Sequence, residues 1–274
     1  MLSEFAQALV VPDHQINLAR AALLYARDAY PELDPDAILR QLDAWAMAVE
    51  QVETDSDPSS AGAPFARLNT LLFERLGFQG NTGDYYDPRN SYLNEVIERR
   101  TGLPITISVV YLEIGWRTGL PLHGVGLPGH FIVRCDTADR AWFVDPFNRG
   151  QILSQDDCAR IVKNTTGNSE FDRSLLRPAT RRQILTRMLG NLRSVYVQSD
   201  KLAEARTVME RLIEIEPDSP EFVRDLGLIN FRLGTYRQAI QLLESYFTLS
   251  PQAGDLESIR QVIHAARVEL TRWN

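Results

Sequence analysis

The chain has 274 residues, a length that can hold more than one domain. Of these residues, 44% are hydrophobic and 24% charged, proportions typical of a soluble globular protein. Its formal net charge of −7 disfavours binding to nucleic acids and to anionic membrane surfaces. No apolar run approaches the roughly 20 residues of a membrane span, and the start of the chain has no basic region of the kind found in signal peptides. Because it has only two cysteines, we expect a cytoplasmic protein.

The first segment, residues 1–56, is predicted to be helical. Asp34 precedes Pro35 in the order typical of an N-cap and the first helical position, and apolar residues recur at helical spacing up to residue 52. The run DSDPSSAGAP (55–64) has the composition of a linker. We therefore predict a domain boundary near residue 56.

The second segment, residues 57–180, is predicted to be an α+β domain. An amphipathic stretch, PFARLNTLLFERLGF, is followed by a short helix ending at Gly102. The stretch 104–119, PITISVVYLEIGWRTG, is apolar almost all round, which predicts a buried helix that stops at Gly119. LHGVGL, HFIVRC and AWFVDP then have the character of strands, with a hairpin connection at DTADR (136–140). A buried helix followed by an antiparallel sheet is an α+β pattern.

The third segment, residues 181–274, is predicted to contain a helical repeat. A shift of 34 residues aligns Ala205 with Ala239 and Pro217 with Pro251, and this is the period of the tetratricopeptide repeat. Two positions depart from that family's pattern, because Arg193 stands where a small residue is usual and Asn230 replaces an aromatic residue. The segment 252–274 is expected to cap the two units.

A histidine and an aspartate mark the ends of two predicted strands. His130 begins HFIVRC, and Asp145 ends AWFVD. A carboxylate on a neighbouring strand can hold an imidazole in one tautomer, which is the orienting role in a catalytic triad. A lone histidine in a small sheet can equally be a structural residue, and Asp-Pro can equally mark a strand-to-turn boundary.

Several motifs together resemble a known family. The order of buried helix, histidine strand and Trp-x-x-Asp-Pro strand resembles the transglutaminase-like fold of papain-type thiol enzymes. More closely, DYYDPRNSYLN, RRTGLPI, PGHFIVR and VDPFNRG resemble the bacterial YchA (SirB-type) family, over about residues 60–274. That family combines a transglutaminase-like core with C-terminal tetratricopeptide-like helices. The resemblance implies that His130 and Asp145 match the triad histidine and aspartate, and that the nucleophile position falls at about Pro104, which has no nucleophilic atom.

Three hypotheses for the function follow. The first is a non-catalytic interaction protein whose C-terminal repeats bind a protein or peptide partner. The second is a cryptic hydrolase or acyl-transfer enzyme that uses His130 and Asp145 with a hydroxyl group, such as that of Thr106 or Ser108, or with a relocated thiol. Cys135 is disfavoured, because its odd offset from His130 points it to the opposite face of the strand. The third is a scaffold whose repeats pack on the core.

Other polar residues are candidates for binding in the same cleft: Asn90, Asn94, Thr106 and Arg134. The four histidines show no paired metal-ligand spacing. The glycines of GFQGNTG lack the lysine and the strand–helix context of a phosphate-binding loop. We therefore expect no metal, no cofactor and no nucleic-acid partner.

Overall fold

The computed structural model describes residues 2–53, 65–137, 140–167 and 170–272. The predicted linker at 55–64 lies outside the described residues, as do two residues of the predicted connection at 136–140. The chain divides into two compact units, which we call the core unit (Gln7–Met188) and the repeat unit (Met1–Ala6 with Leu189–Asn274). Of the helices in the described ranges, none is both long and apolar enough to cross a bilayer.

The helices in the described ranges carry the following labels in chain order: α1 (Glu4–Ala8), α2 (Leu18–Ala26), α3 (Pro35–Glu50), α4 (Ala66–Asn69), α5 (Leu93–Arg99), α6 (Pro104–Arg117), α7 (Gln155–Thr166), α8 (Arg181–Gln198), α9 (Leu202–Ile215), α10 (Pro220–Arg232), α11 (Tyr236–Leu249) and α12 (Leu256–Arg272). The strands are β1 (Gln79–Gly80), β2 (Thr101–Gly102), β3 (Leu122–Leu127), β4 (His130–Asp136), β5 (Ala141–Asp145) and β6 (Gln151–Leu153). A π-helical turn at Thr70–Arg75 continues α4.

Helix α3 begins as its sequence predicts. The Asp34 side chain accepts a hydrogen bond from the backbone N–H of Asp36, and Pro35 occupies the first helical position. The prediction that the short helix before α6 runs to Gly102 is wrong. Helix α5 ends at Arg99, Arg100 adopts a left-handed conformation with φ of 57°, and β2 then pairs in parallel with β1. Residues 101–102 are not helical because they pair with residues 79–80, which are distant in sequence.

Helix α6 lies at the centre of the core unit, as its all-round apolar sequence predicts. Every residue from Pro104 to Gly115 is buried. Helices α2 and α3 pack against it, and the Glu113 carboxylate accepts a hydrogen bond of 2.8 Å from the Ala19 backbone at the start of α2. The helix ends before Gly119, whose φ of 79° is readily accessible only to glycine.

A four-stranded antiparallel sheet in the order β3-β4-β5-β6 packs beside α6. A tight turn joins β3 to β4, because Leu127 pairs with His130 and Gly129 has a φ of 68°. Alternation along β4 places Phe131 and Cys135 on the face towards α6. Ile132 lies on the other face, in a cluster with Cys158 and other apolar residues of α7. The three predicted strands and the α+β class are confirmed, whereas β6 and α7 were not predicted.

The repeat unit contains two helix pairs followed by a final helix. Helices α9 and α11 end just before Pro217 and Pro251, and the equivalent residues Ala205 and Ala239 are fully buried. A Cβ atom at Gly227 would lie 2.6 Å from the Leu243 side chain, so a small residue is needed where α10 meets α11. Helix α12 contributes Ile259 and Ile263 to the same cluster as Leu243. The predicted repeat is confirmed.

Candidate functional site

His130 and Asp145 lie together on one side of the sheet. His130 is the first residue of β4 and Asp145 the last of β5, and these two strands are antiparallel neighbours. The His130 Nε2 and Asp145 Oδ2 atoms are 2.7 Å apart. The structure therefore brings the two predicted triad residues into direct contact.

The Asp145 carboxylate is buried among four hydrogen-bond donors. Oδ2 accepts from His130 and from the side-chain amide of Asn148, at 2.7 Å each. Oδ1 accepts from the backbone N–H groups of Phe147 and Asn148, at 3.1 and 3.2 Å. A carboxylate can only accept, so the hydrogen of the His130–Asp145 bond lies on Nε2. In the neutral imidazole, Nδ1 is then the nitrogen that can act as a base.

An aromatic ring covers one side of the imidazole. The rings of His130 and Phe147 meet edge to face, with 5.9 Å between their centroids. Phe147 also lies against the backbone of β1, where a Cβ atom at Gly80 would come within 2.5 Å of the ring. The His130 side chain is 13% exposed. The glycine at position 80 thus allows Phe147 to pack beside the histidine.

The predicted nucleophile position is the start of α6. Pro104 is the first helical residue, and the Thr106 hydroxyl caps the helix by accepting from the Leu103 N–H at 2.9 Å. The same hydroxyl donates to the Asn90 carbonyl at 2.8 Å. The buried Ser108 hydroxyl lies 3.5 Å from the Phe131 carbonyl. Both hydroxyl groups near the helix start therefore make structural contacts inside the core.

Both thiols of the chain are buried. Burial, followed by the Asp136 charge, raises the pKa of Cys135. Burial and the neighbouring acidic groups, Asp157 before Asp145, raise the pKa of Cys158 to about 12. The thiolate is the nucleophilic form, so neither thiol is activated at neutral pH.

The other candidate residues form contacts of their own. The Asn90 amide donates to the carbonyls of Asp84 (2.7 Å) and Tyr85 (3.2 Å) in the preceding loop. Its own backbone carbonyl accepts from the Thr106 hydroxyl at the start of α6, so Asn90 connects the loop to that helix. The structure therefore brings Asn90 and Thr106 together.

Asn94 and Arg134 are not among the groups that contact the His130–Asp145 pair. The Asn94 Oδ1 atom is buried and has no hydrogen-bond partner within the described part of the chain. Arg134 donates to Asp136 at 2.8 Å and to the Leu176 carbonyl at 3.2 Å. Arg134 therefore binds residues away from the start of β4.

Two residues that hold the site were not predicted from the sequence, namely Asn148 and Arg187. Asn148 belongs to an Asp-Pro-x-Asn turn, whose turn-forming residues could have indicated it. Arg187 of α8 donates from Nη2 to the carbonyls of Leu127 (2.9 Å) and His130 (2.7 Å), which fixes the turn that carries His130. No local pattern links Arg187 to a strand so far away in sequence. Within the described ranges, no three His, Cys, Asp or Glu side chains are grouped to hold a metal ion.

Comparison with known proteins shows the class of protein to which this chain belongs. Residues 36–190 match the transglutaminase-like superfamily, and residues 192–264 match a tetratricopeptide repeat family. The protein thus combines a transglutaminase-like core with tetratricopeptide repeats, and the predicted combination is confirmed.

Sequence relatives narrow this class. A UPF0162 protein of Xylella fastidiosa (strain Temecula1) is 38% identical over 255 residues, covering 91% of this chain and 90% of the relative. The chain belongs to the UPF0162 family. A UPF0162 protein of Vibrio cholerae is 26% identical over 205 residues, covering 74% of this chain and 76% of its own length. Human F-box only protein 21 is 29% identical over 205 residues, which cover 67% of this chain and 32% of that protein.

Proposed function

We propose that this protein is a non-catalytic transglutaminase-like protein that acts by binding a protein or peptide partner on its repeats. The observation that carries the proposal is a cavity of about 450 Å³ between α8 and α10, which we call the repeat groove. A volume of several hundred Å³ is in the range of ligand-binding clefts. The groove is lined by Arg193, Ser194, Val197, Gln198, Asp225, Leu228, Ile229 and Arg232.

The chemistry of the repeat groove suits an extended peptide. Val197, 39% exposed, and Leu228 provide apolar surface. Arg193 lies 3.0 Å from Asp225, and Arg232 lies 2.7 Å from Asp200. The side chains of these ion pairs place polar hydrogen-bonding groups beside apolar surface, a combination found at protein interfaces. Arg193, which departs from the repeat pattern, thus supplies a charge to the groove.

The contacts in the core unit support the non-catalytic part of the proposal. Pro104 occupies the predicted nucleophile position, and the Thr106 and Ser108 hydroxyls bind backbone groups. The His130–Asp145 pair is held by the turn after β5 and links the start of β4 to the end of β5. In this proposal the pair is a structural remnant of a triad.

A matched pair of variants of the full-length chain tests the groove. Val197→Asp places a charge in the groove, whereas Val268→Asp places the same charge at an equally exposed position on α12 (39% and 38%). Peptides selected from a random library against the wild-type protein are expected to lose binding to Val197→Asp and to keep it with Val268→Asp. Selected peptides that bind both variants equally, or a selection that yields none, would refute the proposal.

The second candidate function is a hydrolase or acyl-transfer enzyme, and the intact His130–Asp145 pair favours it. Its test is turnover of thioester, ester and glutamine substrates by the wild-type protein and by His130→Ala. Turnover that disappears in His130→Ala would replace the non-catalytic proposal with this one.

We place the protein in the cytoplasm and expect a protein partner rather than a nucleic acid. Cys135 and Cys158 are free thiols in the interior, which suits a reducing compartment. The net charge of −7 opposes a polyanionic partner. Fractionation of cells followed by detection with an antibody against the chain tests the location.

A further inference from the structure

The repeat groove is bordered by ion pairs whose members differ in exposure. Arg193 of the lining pairs with Asp225 at 3.0 Å, and both side chains are partly buried. Two further carboxylates pair with arginines of the lining. Glu221 lies 3.6 Å from Arg193 and is 60% exposed. Asp200 lies 2.7 Å from Arg232 and is 76% exposed, against 50% for the arginine. Among the charges of the lining and their partners, the two most exposed are therefore carboxylates.

The two exposed carboxylates are loosely held. Exposed ion pairs contribute little to stability, because water screens them and the side chains lose freedom when they pair. At 3.6 Å, Glu221 is beyond hydrogen-bonding distance of Arg193, which keeps its hydrogen bond to Asp225 when Glu221 turns away. Asp200 is paired with an arginine that is itself half exposed. A positively charged ligand can therefore replace either arginine as the partner, and the net charge of −7 attracts such a ligand.

Apolar surface lies between these two carboxylates. Glu221 belongs to the first turn of α10, and Arg232, which pairs with Asp200, is the last residue of that helix. Leu228 lies between them on α10, and Val197 of α8 lines the same cavity. At 1.5 Å per residue, the helix places Glu221 and Arg232 about 16 Å apart along its axis. An extended peptide covers that distance with about five residues, at roughly 3.3 Å each.

We propose that the repeat groove binds an extended basic peptide in which an aliphatic side chain lies between two basic residues about five positions apart. The aliphatic side chain packs on Val197 and Leu228, and the basic residues pair with Glu221 and Asp200. An acidic peptide would instead meet the two most exposed carboxylates, which repel it. This inference rests on the proposed function of the groove and names the chemistry of its partner.

The test is the sequence content of peptides selected from a random library against the full-length wild-type chain. Sequencing is expected to show Lys or Arg enriched on both sides of Leu, Ile or Val, with the two basic residues about five positions apart. Suppose instead that the peptides lose binding to Val197→Asp but are enriched in Asp or Glu, or in neither charge. That result would overturn this inference and leave the proposed function standing, whereas a selection that yields no peptide would overturn both.

Neutral variants of the two carboxylates assign the charge preference. In fluorescence polarisation, Glu221→Gln and Asp200→Asn are each expected to weaken binding of the selected basic peptides by about two- to fivefold, the contribution of one exposed ion pair. Asparagine suits position 200, where the backbone φ is 56°. Glu257→Gln is the control, because this carboxylate of α12 is 74% exposed and also pairs with an arginine, Arg260. Equal weakening in the control, or none in either groove variant, would refute the proposed contacts.

A charge-reversed variant provides a second readout that does not depend on small changes in affinity. Glu221→Lys combined with Asp200→Asn replaces one carboxylate by a cation and neutralises the other. Selection against this double variant is expected to yield peptides with Asp or Glu on one side of the aliphatic residue. Enrichment of the same basic peptides as with the wild-type chain would contradict the proposal, because the two carboxylates would then not determine which peptides bind.

Discussion

Replacement of Asp145 tests how much stability the buried carboxylate contributes. Asp145 is 1% exposed and accepts from four donors. Asp145→Ala leaves all four without their acceptor and opens a small cavity. Asp145→Asn keeps an oxygen for the two backbone donors, but its amide group faces the side chains of His130 and Asn148. The two variants therefore separate the loss of charge from the loss of all hydrogen bonds.

The expected magnitudes follow from these contacts. A hydrogen bond to a charged acceptor contributes about 1.5–3 kcal/mol, and a buried donor left without its acceptor costs about 1–3 kcal/mol. Asn148 is exposed and can turn to water, which lowers the cost of losing its bond. We therefore expect the free energy of unfolding to fall by about 3–5 kcal/mol in Asp145→Ala, which corresponds to the loss of about two such hydrogen bonds. In Asp145→Asn it should fall by about 1.5–3 kcal/mol, one such hydrogen bond.

The assay is equilibrium unfolding in urea, followed by tryptophan fluorescence and circular dichroism at neutral pH. Asp43→Asn is the control, because it removes a 60% exposed carboxylate paired with Arg117 and should cost about 1 kcal/mol or less. If Asp145→Ala were no more destabilising than Asp43→Asn, the inference that this carboxylate anchors the site would be refuted.

Three further predictions concern packing, buried ionisation and the start of α6. Gly227→Ala should lower the free energy of unfolding by about 1–3 kcal/mol because its Cβ meets Leu243, whereas Gly190→Ala, with nothing within 4 Å, should not; urea unfolding compares them. The pKa of Cys158, about 12 when folded against an ordinary 9.0, means that the folded chain holds a proton the unfolded chain releases. The free energy of unfolding, measured by urea titrations at each pH, should therefore decline from pH 9 towards 12, and it should decline less in Cys158→Ala. The same decline in the wild-type protein and in Cys158→Ala would contradict this. Thr106→Val should lower the free energy of unfolding by about 1–3 kcal/mol, measured by thermal unfolding, because it removes the hydroxyl that caps α6. Thr106→Ser keeps a hydroxyl and should lower it much less. Equal losses in the two variants would contradict the role of the hydroxyl.

Much of the fold could be predicted from local sequence features. Asp34 and Pro35 indicate the start of α3, the continuous apolar run indicates α6, and the 34-residue period indicates the repeats. These features depend on side-chain periodicity and backbone preferences, which neighbouring residues determine. The predicted domain limits 1–56, 57–180 and 181–274 stay predictions.

The pairing of His130 with Asp145 could be expected from the two strand ends, but the rest of the site could not. The sequence contains no local feature that places Phe147 against Gly80, joins Asn90 to Thr106, or brings Arg187 to the carbonyl of His130. The end of α5 was mispredicted for the same reason. Each of these contacts joins segments that are far apart in the chain, and their relative positions depend on how helices and sheet pack. The sequence alone therefore determined most of the elements, including α3, α6, β3–β5 and the repeats, and indicated the histidine–aspartate pair, whereas tertiary packing decided the end of α5 and which groups surround that pair.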